Sequence, residues 1–216
     1  MNINDIKQKL PITIGINGRE EYFSSVVLLL LIPVEGEYHI VFEKRASNIR
    51  QAGEISLPGG KCEDNETLET TAIRETTEEL GIPADKINIL GRLDTIIAPL
   101  GVIVDVFVGT ADITLSQMLI NHDEVERAFT VPVSFFENTT PEEYKVMVKV
   151  HPTYIDETTN KEVILFPSAQ LGVPEKYKTP WGKLSNKVYV YKTEGEVIWG
   201  ITARIILDFV SKLGKS

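Results

Sequence analysis

The stretch from Glu66 to Leu80 constrains this chain more than any other, because it reads as a helix with one apolar stripe and one acidic face. Asp64 and Asn65 are cap candidates at its start, and Gly81 followed by Pro83 stops it. With Glu75 placed at zero and a step of about 100° per residue, Glu79 falls at about 40° and Glu78 at about 300°. The three carboxylates therefore share a face. Leu68, Ala72, Ile73, Thr76 and Leu80 form the neighbouring stripe, which must be buried against a broad apolar surface. Like charges spaced i,i+4 destabilise a helix by roughly 0.2–0.5 kcal/mol per pair. A hard divalent cation, which prefers oxygen ligands, removes that cost. A solvated acidic surface is the other reading of the same face.

Strands supply the apolar surface. Ser24 to Ile32 is a continuous run of β-branched residues and leucines, consistent with a strand buried on both faces. Tyr38–Glu43 reads as its partner across the turn material Glu35-Gly36-Glu37, and the polar, Gly-rich stretch from Arg45 to Gly60 reads as a loop. Further strands are expected at Ile87–Leu93, Val102–Val108 and Phe129–Phe136, and then at Lys145–Val150, Glu162–Phe166 and Lys187–Lys192. Residues 1–20 read as a short helix or arm. A closing amphipathic helix is expected from about Thr202 to Leu213, with Ile205, Ile206, Phe209, Val210 and Leu213 inward. Strands interleaved with two substantial helices predict an α/β sandwich.

At 216 residues the chain suits one domain with embellishments and can bury a core without staples. A net charge of −9 and a pI near 5.0 argue against a broad nucleic-acid footprint, though a local basic pocket for one phosphorylated ligand remains compatible. Cys62 is the only cysteine, so no intrachain disulfide forms. Asp5, Lys7 and Lys9 leave no apolar core for a signal peptide, and Val26–Ile32 is too short to span a bilayer. A cytoplasmic protein with no membrane or nucleic-acid partner is expected.

The flanks of the acidic helix decide between the two readings of its face. Gly60, Glu66, Arg74, Glu75, Glu78, Glu79, Gly81 and Ile82 reproduce the spacing G-x5-E-x7-R-E-U-x-E-E-x-G-U, where U is a bulky aliphatic. Thr76 is the one departure, a β-branched residue of valine's shape. This is the Nudix box, and the chain resembles Nudix hydrolases over most of residues 24–136. The resemblance implies a Nudix-type α/β/α sandwich with a mixed β-sheet, and Mg²⁺ or Mn²⁺ held by Glu75 and Glu79 with Glu78 close behind. Gly60, Glu66, Arg74 and Gly81 would form the structural part of the box, with Glu66 and Arg74 able to pair and hold the glycine loop against the helix. Catalysis of this type is positioning plus charge neutralisation.

The loop upstream, from Arg45 to Gly60, resembles the second signature of the coenzyme A diphosphatase branch, L-L-T-x-R-[SA]-x3-R-x3-G-x3-F-P-G-G. Arg45, Ala46, Arg50, Gly53, Pro58, Gly59 and Gly60 fall in register once one residue is dropped between Arg50 and Gly53. Leu57 replaces the phenylalanine, and Phe42-Glu43 replaces the leucine-threonine pair. Arg45 and Arg50 are the candidates for binding substrate phosphate, because an arginine fork gives charge-assisted hydrogen bonds to such groups. Pairing of both arginines with local acids is the competing reading. Asp123-Glu124-Val125 with Phe129 and Pro132, and Trp199-Gly200-Ile201-Thr202-Ala203, resemble later segments of the same branch. Glu124 is the candidate for a further metal ligand or general base, with Asp123 and Glu126 in competition. The tryptophan is expected to seal the core and Thr202 to cap the last helix.

Together these imply a metal-dependent hydrolase of a diphosphate bond in a small nucleotide derivative, coenzyme A or an acyl-CoA first among them, with Glu78 and Glu124 as catalytic candidates. A Nudix hydrolase for ADP-ribose is the alternative, and a non-catalytic nucleotide-binding module is a third class. The segment at about 137–195 is longer than in compact relatives and is expected to serve as a lid, a substrate wall or a dimer contact within one domain over residues 1–216. A homodimer is implied by the resemblance alone.

Overall fold

The computed structural model describes residues 2–12, 15–99 and 101–214. Its main sheet has eight strands: β1 (Phe23–Val34), β2 (Glu37–Arg45), β3 (Ile55–Ser56), β4 (Gly59–Gly60), β5 (Ile87–Arg92), β6 (Ile96–Ala98), β7 (Val102–Ala111) and β8 (Val125–Pro132). Their order is β3-β2-β1-β7-β5, with β4 on β1, β6 on β7 and β8 on β2. β1 and β7 run parallel and the other pairs antiparallel, so the sheet is mixed.

Two cores lie on opposite faces of this sheet, as the alternation of side chains along a strand requires. On one face Val26, Leu28, Leu30, Ile32, Val41 and Phe107 meet Ala72 and Leu80 of α2 (Leu68–Leu80). On the other face Leu29, Leu31, Ile40, Phe42, Val104 and Val106 meet Phe136 of α3 (Val133–Asn138) and Ala203, Ile205, Ile206 and Phe209 of α4 (Gly200–Leu213). The architecture is an α/β sandwich with helices on both faces. A short N-terminal helix, α1 (Ile3–Lys9), buries no residue.

Several boundaries depart from the sequence expectation. The box helix begins at Leu68 rather than Glu66, because the Thr67 hydroxyl caps it by accepting the amide of Thr70 at 3.1 Å. Glu66 is thereby left outside the helix. The strand expected over Phe129–Phe136 breaks at Pro132, where the chain turns into α3. At the last helix Trp199 occupies the cap position but is 47% exposed, and it is Ile198, fully buried, that closes the core. Thr202 caps nothing; its hydroxyl donates to the Ile55 carbonyl at 3.1 Å and ties α4 to β3.

The long segment folds as β9 (Glu142–Val150), β10 (Thr153–Ile155), β11 (Glu162–Ile164), β12 (Trp181–Lys192) and β13 (Val197–Trp199). β10 and β11 form a hairpin, and the others form a separate sheet of order β13-β12-β9. Tyr191 and Ile198 root that sheet in the α3/α4 core. Among the described residues no helix is long and apolar enough to cross a membrane.

Candidate active site

Three elements converge where the box helix crosses the glycine strand. The turn at Gly59-Gly60 pairs with Val26 and Val27 of β1 and brings its backbone against α2. The Gly59 amide donates to Glu79 Oε2 at 2.8 Å. A β-carbon on Gly60 would lie 2.4 Å from the Glu75 carboxyl carbon, so the absence of a side chain there is what admits Glu75. Since the obstructed group is the end of a flexible side chain, Gly60→Ala is expected to keep its melting temperature within a few degrees. Glu75 must swing aside, however, and a displacement of about 1 Å at a reacting group costs on the order of 100-fold in rate. Paired thermal melts and rate measurements test this; a mutant that is both stable and fully active would remove Glu75 from the site.

Arg74 organises the box. Its guanidinium donates to both oxygens of Glu66, at 2.7 and 3.1 Å, and also reaches Glu75 at 3.0 Å, Glu78 at 2.8 Å and the Lys61 carbonyl at 3.2 Å. The Arg74 hydrogen bonds are the largest influence on Glu66 and hold its pKa down at about 2. A carboxylate with a lowered folded pKa contributes stability above its unfolded value of 4.5 and loses it as the pH falls towards 2. Wild type is therefore expected to melt above Glu66→Gln at pH 6–7, with the gap closing between about pH 4.5 and 2. Melting curves of both proteins across that range check it, and a gap independent of pH would overturn the ion-pair account.

The box carboxylates sit at three depths. Glu78 is exposed, Glu75 half-buried and Glu79 only 5% exposed. Burial pushes the Glu79 pKa well above the carboxylate range, and the charges of Glu43, Glu75 and Glu124 add to that push. Burial also raises Glu75, against the pull of Arg74. The one-face arrangement of the helix thus becomes a gradient from solvent to core.

Glu124 reaches this site through the far end of α2. Gly81 takes a left-handed conformation (φ 66°) at the helix C-terminus, and a β-carbon there would lie 2.3 Å from the Leu119 carbonyl. That close approach lets the amides of Leu119 and Asn121 satisfy the Leu80 and Glu79 carbonyls at 3.0 and 2.9 Å. Asn121 then accepts from the Glu124 amide, and the Glu124 carbonyl accepts from Ala46. The negative charge of Glu124 is felt at Glu43, Glu75 and Glu79 alike. Of its competitors, Glu126 pairs with Lys44 at 3.4 Å instead.

Arg45 closes β2, and Arg50 lies in the loop that leads from it to β3. Arg45 Nε donates to the Arg50 carbonyl at 3.1 Å, and the Arg45 backbone is bonded to Glu54 and Gly53, so the loop is closed on itself. Arg45 also stabilises ionised Glu43 through its charge. The Arg50 side chain is exposed at the loop tip.

Two buried acids escaped the sequence reading. Glu43 lies in β2, 1% exposed; its Oε1 accepts from Ser56 Oγ at 3.0 Å and its Oε2 has no partner. Val41 belongs to the α2-side core, so Glu43, two residues on, projects towards the box helix. Asp105 in β7, also 1% exposed, pairs with Arg19, with Arg92 at 3.0 Å and with Thr95 at 2.6 Å, tying the segment before β1 to the sheet. A lone acid inside an apolar strand run was the available signal for Asp105, and an acid directly after the apolar run Ile40–Phe42 was the signal for Glu43.

Comparison with known proteins bears on the family. Nudix hydrolase 3 of Caenorhabditis elegans is 35% identical over 111 residues, which are 50% of this chain and 46% of that protein. The chain thus spans less than half the length of that relative. An uncharacterized Nudix hydrolase, NudL, of Yersinia pestis (strain Pestoides F) is 27% identical over 210 residues, 94% of this chain and 89% of that one. Among solved structures, the Nudix hydrolase RenU of M. smegmatis is 23% identical with a TM-score of 0.46, over 52% of this chain and 72% of that chain. The NUDIX domain matches residues 22–150 of the 216, and the chain belongs to the Nudix family.

Proposed function

We propose that this chain is a divalent-metal-dependent hydrolase of the diphosphate bond in a nucleotide derivative, with coenzyme A or an acyl-CoA as substrate. The observation that carries the reading is the convergence of carboxylates from three separate elements, α2, β2 and the loop before β8, around the buried Glu79.

The donor set suits a hard cation. It is all oxygen, it is partly buried, and one of its oxygens, Glu43 Oε2, lacks any partner. As the side chains stand, no three such groups among the described residues enclose a metal position. Arg74 holds Glu75 and Glu78, and the Gly59 amide holds Glu79. Glu75, Glu79 and Glu78 would hold the ion, Glu75 and Glu78 by giving up their bonds to Arg74. A bound Mg²⁺ or Mn²⁺ would supply neutralisation of the diphosphate and activation of the attacking water.

The chain's own residues do the rest. Arg74, fixed by Glu66, keeps the box helix and the glycine loop in register. Glu124, on a loop stitched to the end of α2, would take the proton from the water. Arg45 braces its loop so that Arg50 presents a guanidinium to a substrate phosphate.

The test is a panel of coenzyme A, ADP-ribose, NADH and diadenosine polyphosphates, each with Mg²⁺, with Mn²⁺ and with chelator. Coenzyme A is expected to give 4′-phosphopantetheine and 3′,5′-ADP, and chelation to abolish the reaction. Undiminished cleavage in chelator would sink the metal mechanism, and no cleavage of any diphosphate would sink the enzyme.

A further inference from the structure

We propose that Glu43 is a further ligand of this metal site, contributed by the sheet rather than by the box helix; the proposal rests on the metal-dependent reading above. Nothing in the box spacing assigns it, since Glu43 lies 17 residues before Gly60 on a different element.

The argument begins with what burial costs. A carboxylate removed from water must be paired or hydrogen-bonded, and an uncompensated one is among the most expensive groups a core can hold. Glu43 is 1% exposed, yet none of the described cations forms a salt bridge with it. Ser56, its register partner on β3, donates its hydroxyl to Oε1. That bond orients the carboxyl and leaves Oε2 without a hydrogen-bond partner among the described residues, while the charge of Glu43 bears on the buried Glu79. Two buried acids thus act on each other, and a third, Glu124, contributes its charge from the loop. Such an arrangement is unfavourable for the empty protein and favourable once a divalent cation lies between the carboxylates. The orientation supplied by Ser56 is what a ligand carboxylate needs from its neighbours.

A purely structural role makes a different demand. If Glu43 served only as a neutral carboxyl donating a hydrogen bond to Glu79, a glutamine amide would replace it without loss. Glu43→Gln therefore separates the two roles, and Ser56 can still donate to its carbonyl oxygen. Mn²⁺ binding without substrate, followed by the electron paramagnetic resonance of the free ion, gives a readout independent of turnover. Wild type is expected to bind Mn²⁺. Ser56→Ala is expected to weaken binding by about 10- to 100-fold, the usual effect of removing a group that orients a ligand. Glu43→Gln should weaken it more than that while its thermal melt without metal stays at or above the wild-type value. If wild type binds Mn²⁺ and Glu43→Gln binds equally well, Glu43 is not a ligand and the metal-dependent reading survives. If wild type itself fails to bind Mn²⁺ at millimolar concentration, both fall. Should Glu43→Gln prove unfolded, Ser56→Ala decides: unchanged affinity there overturns the proposal.

Discussion

Replacing Glu79 by glutamine should lower kcat by at least about 100-fold, the upper end of what is lost when a group merely supporting a metal ligand is removed. The fold should survive, because the amide oxygen of glutamine can still accept the Gly59 hydrogen bond. The metal-free mutant should be no less stable than wild type, for a reason the structure supplies. Burial and the neighbouring acids raise the folded pKa of Glu79 above its ordinary 4.5. Between those two values the folded state binds more protons than the unfolded one, so stability falls as the pH rises. Wild type in chelator should therefore lose melting temperature from pH 5 towards pH 9, and Glu79→Gln should lose less. Added Mg²⁺ should then raise the wild-type melting temperature and barely move the mutant, since only a ligand that binds the folded state stabilises it. A mutant that turns over normally, or that gains as much from Mg²⁺ as wild type, removes Glu79 from the metal site.

Coenzyme A should be cleaved faster than dephospho-coenzyme A, which lacks the extra phosphate, and the arginine loop should account for the difference. A charge-assisted hydrogen bond contributes about 1.5–3 kcal/mol, or roughly 10- to 150-fold in kcat/KM. Arg50→Ala is the cleaner probe, because that side chain stands exposed at the loop tip whereas Arg45 also closes the loop on the Arg50 carbonyl. Arg50→Ala should erase most of the preference and leave the slow cleavage of dephospho-coenzyme A almost unchanged. Arg45→Ala should erase it too but slow both substrates, as a loosened loop would. The two substrates and two proteins form a cycle that isolates the contact. A wild-type preference of tenfold or more for ADP-ribose would end the coenzyme A assignment and leave the Nudix hydrolase standing.

What the sequence determined by itself was local and periodic. The spacing of Gly60, Glu66, Arg74, Glu75, Glu78 and Glu79 is set by one helix and the turn before it, so a period of 3.6 residues is enough to read it. The apolar runs of β1 and β7 announced a buried sheet because a continuous β-branched and apolar run is also a local signal. Boundaries were less legible, because they depend on competition between neighbours: Thr67 outcompeted Asp64 and Asn65 as the cap, and Pro132 divided an apolar run into strand and helix.

Only the tertiary structure decided depth and company. The helical wheel turns Glu79 towards the apolar stripe and Glu78 away from it, but only packing against β4 and β1 sets how deeply Glu79 is buried while Glu78 stays in water. Glu43 and Glu124 are far from the box in sequence and lie on strands and loops whose pairing is long-range. Glu43 is brought to α2 by the side-chain alternation of β2, and Glu124 by amides that satisfy the open end of the helix. A strand residue's face is fixed by register with distant partners, which no local period encodes. Trp199 shows the same limit from the other side, since the alternation of β13 gave the core to Ile198 and turned the larger ring outward.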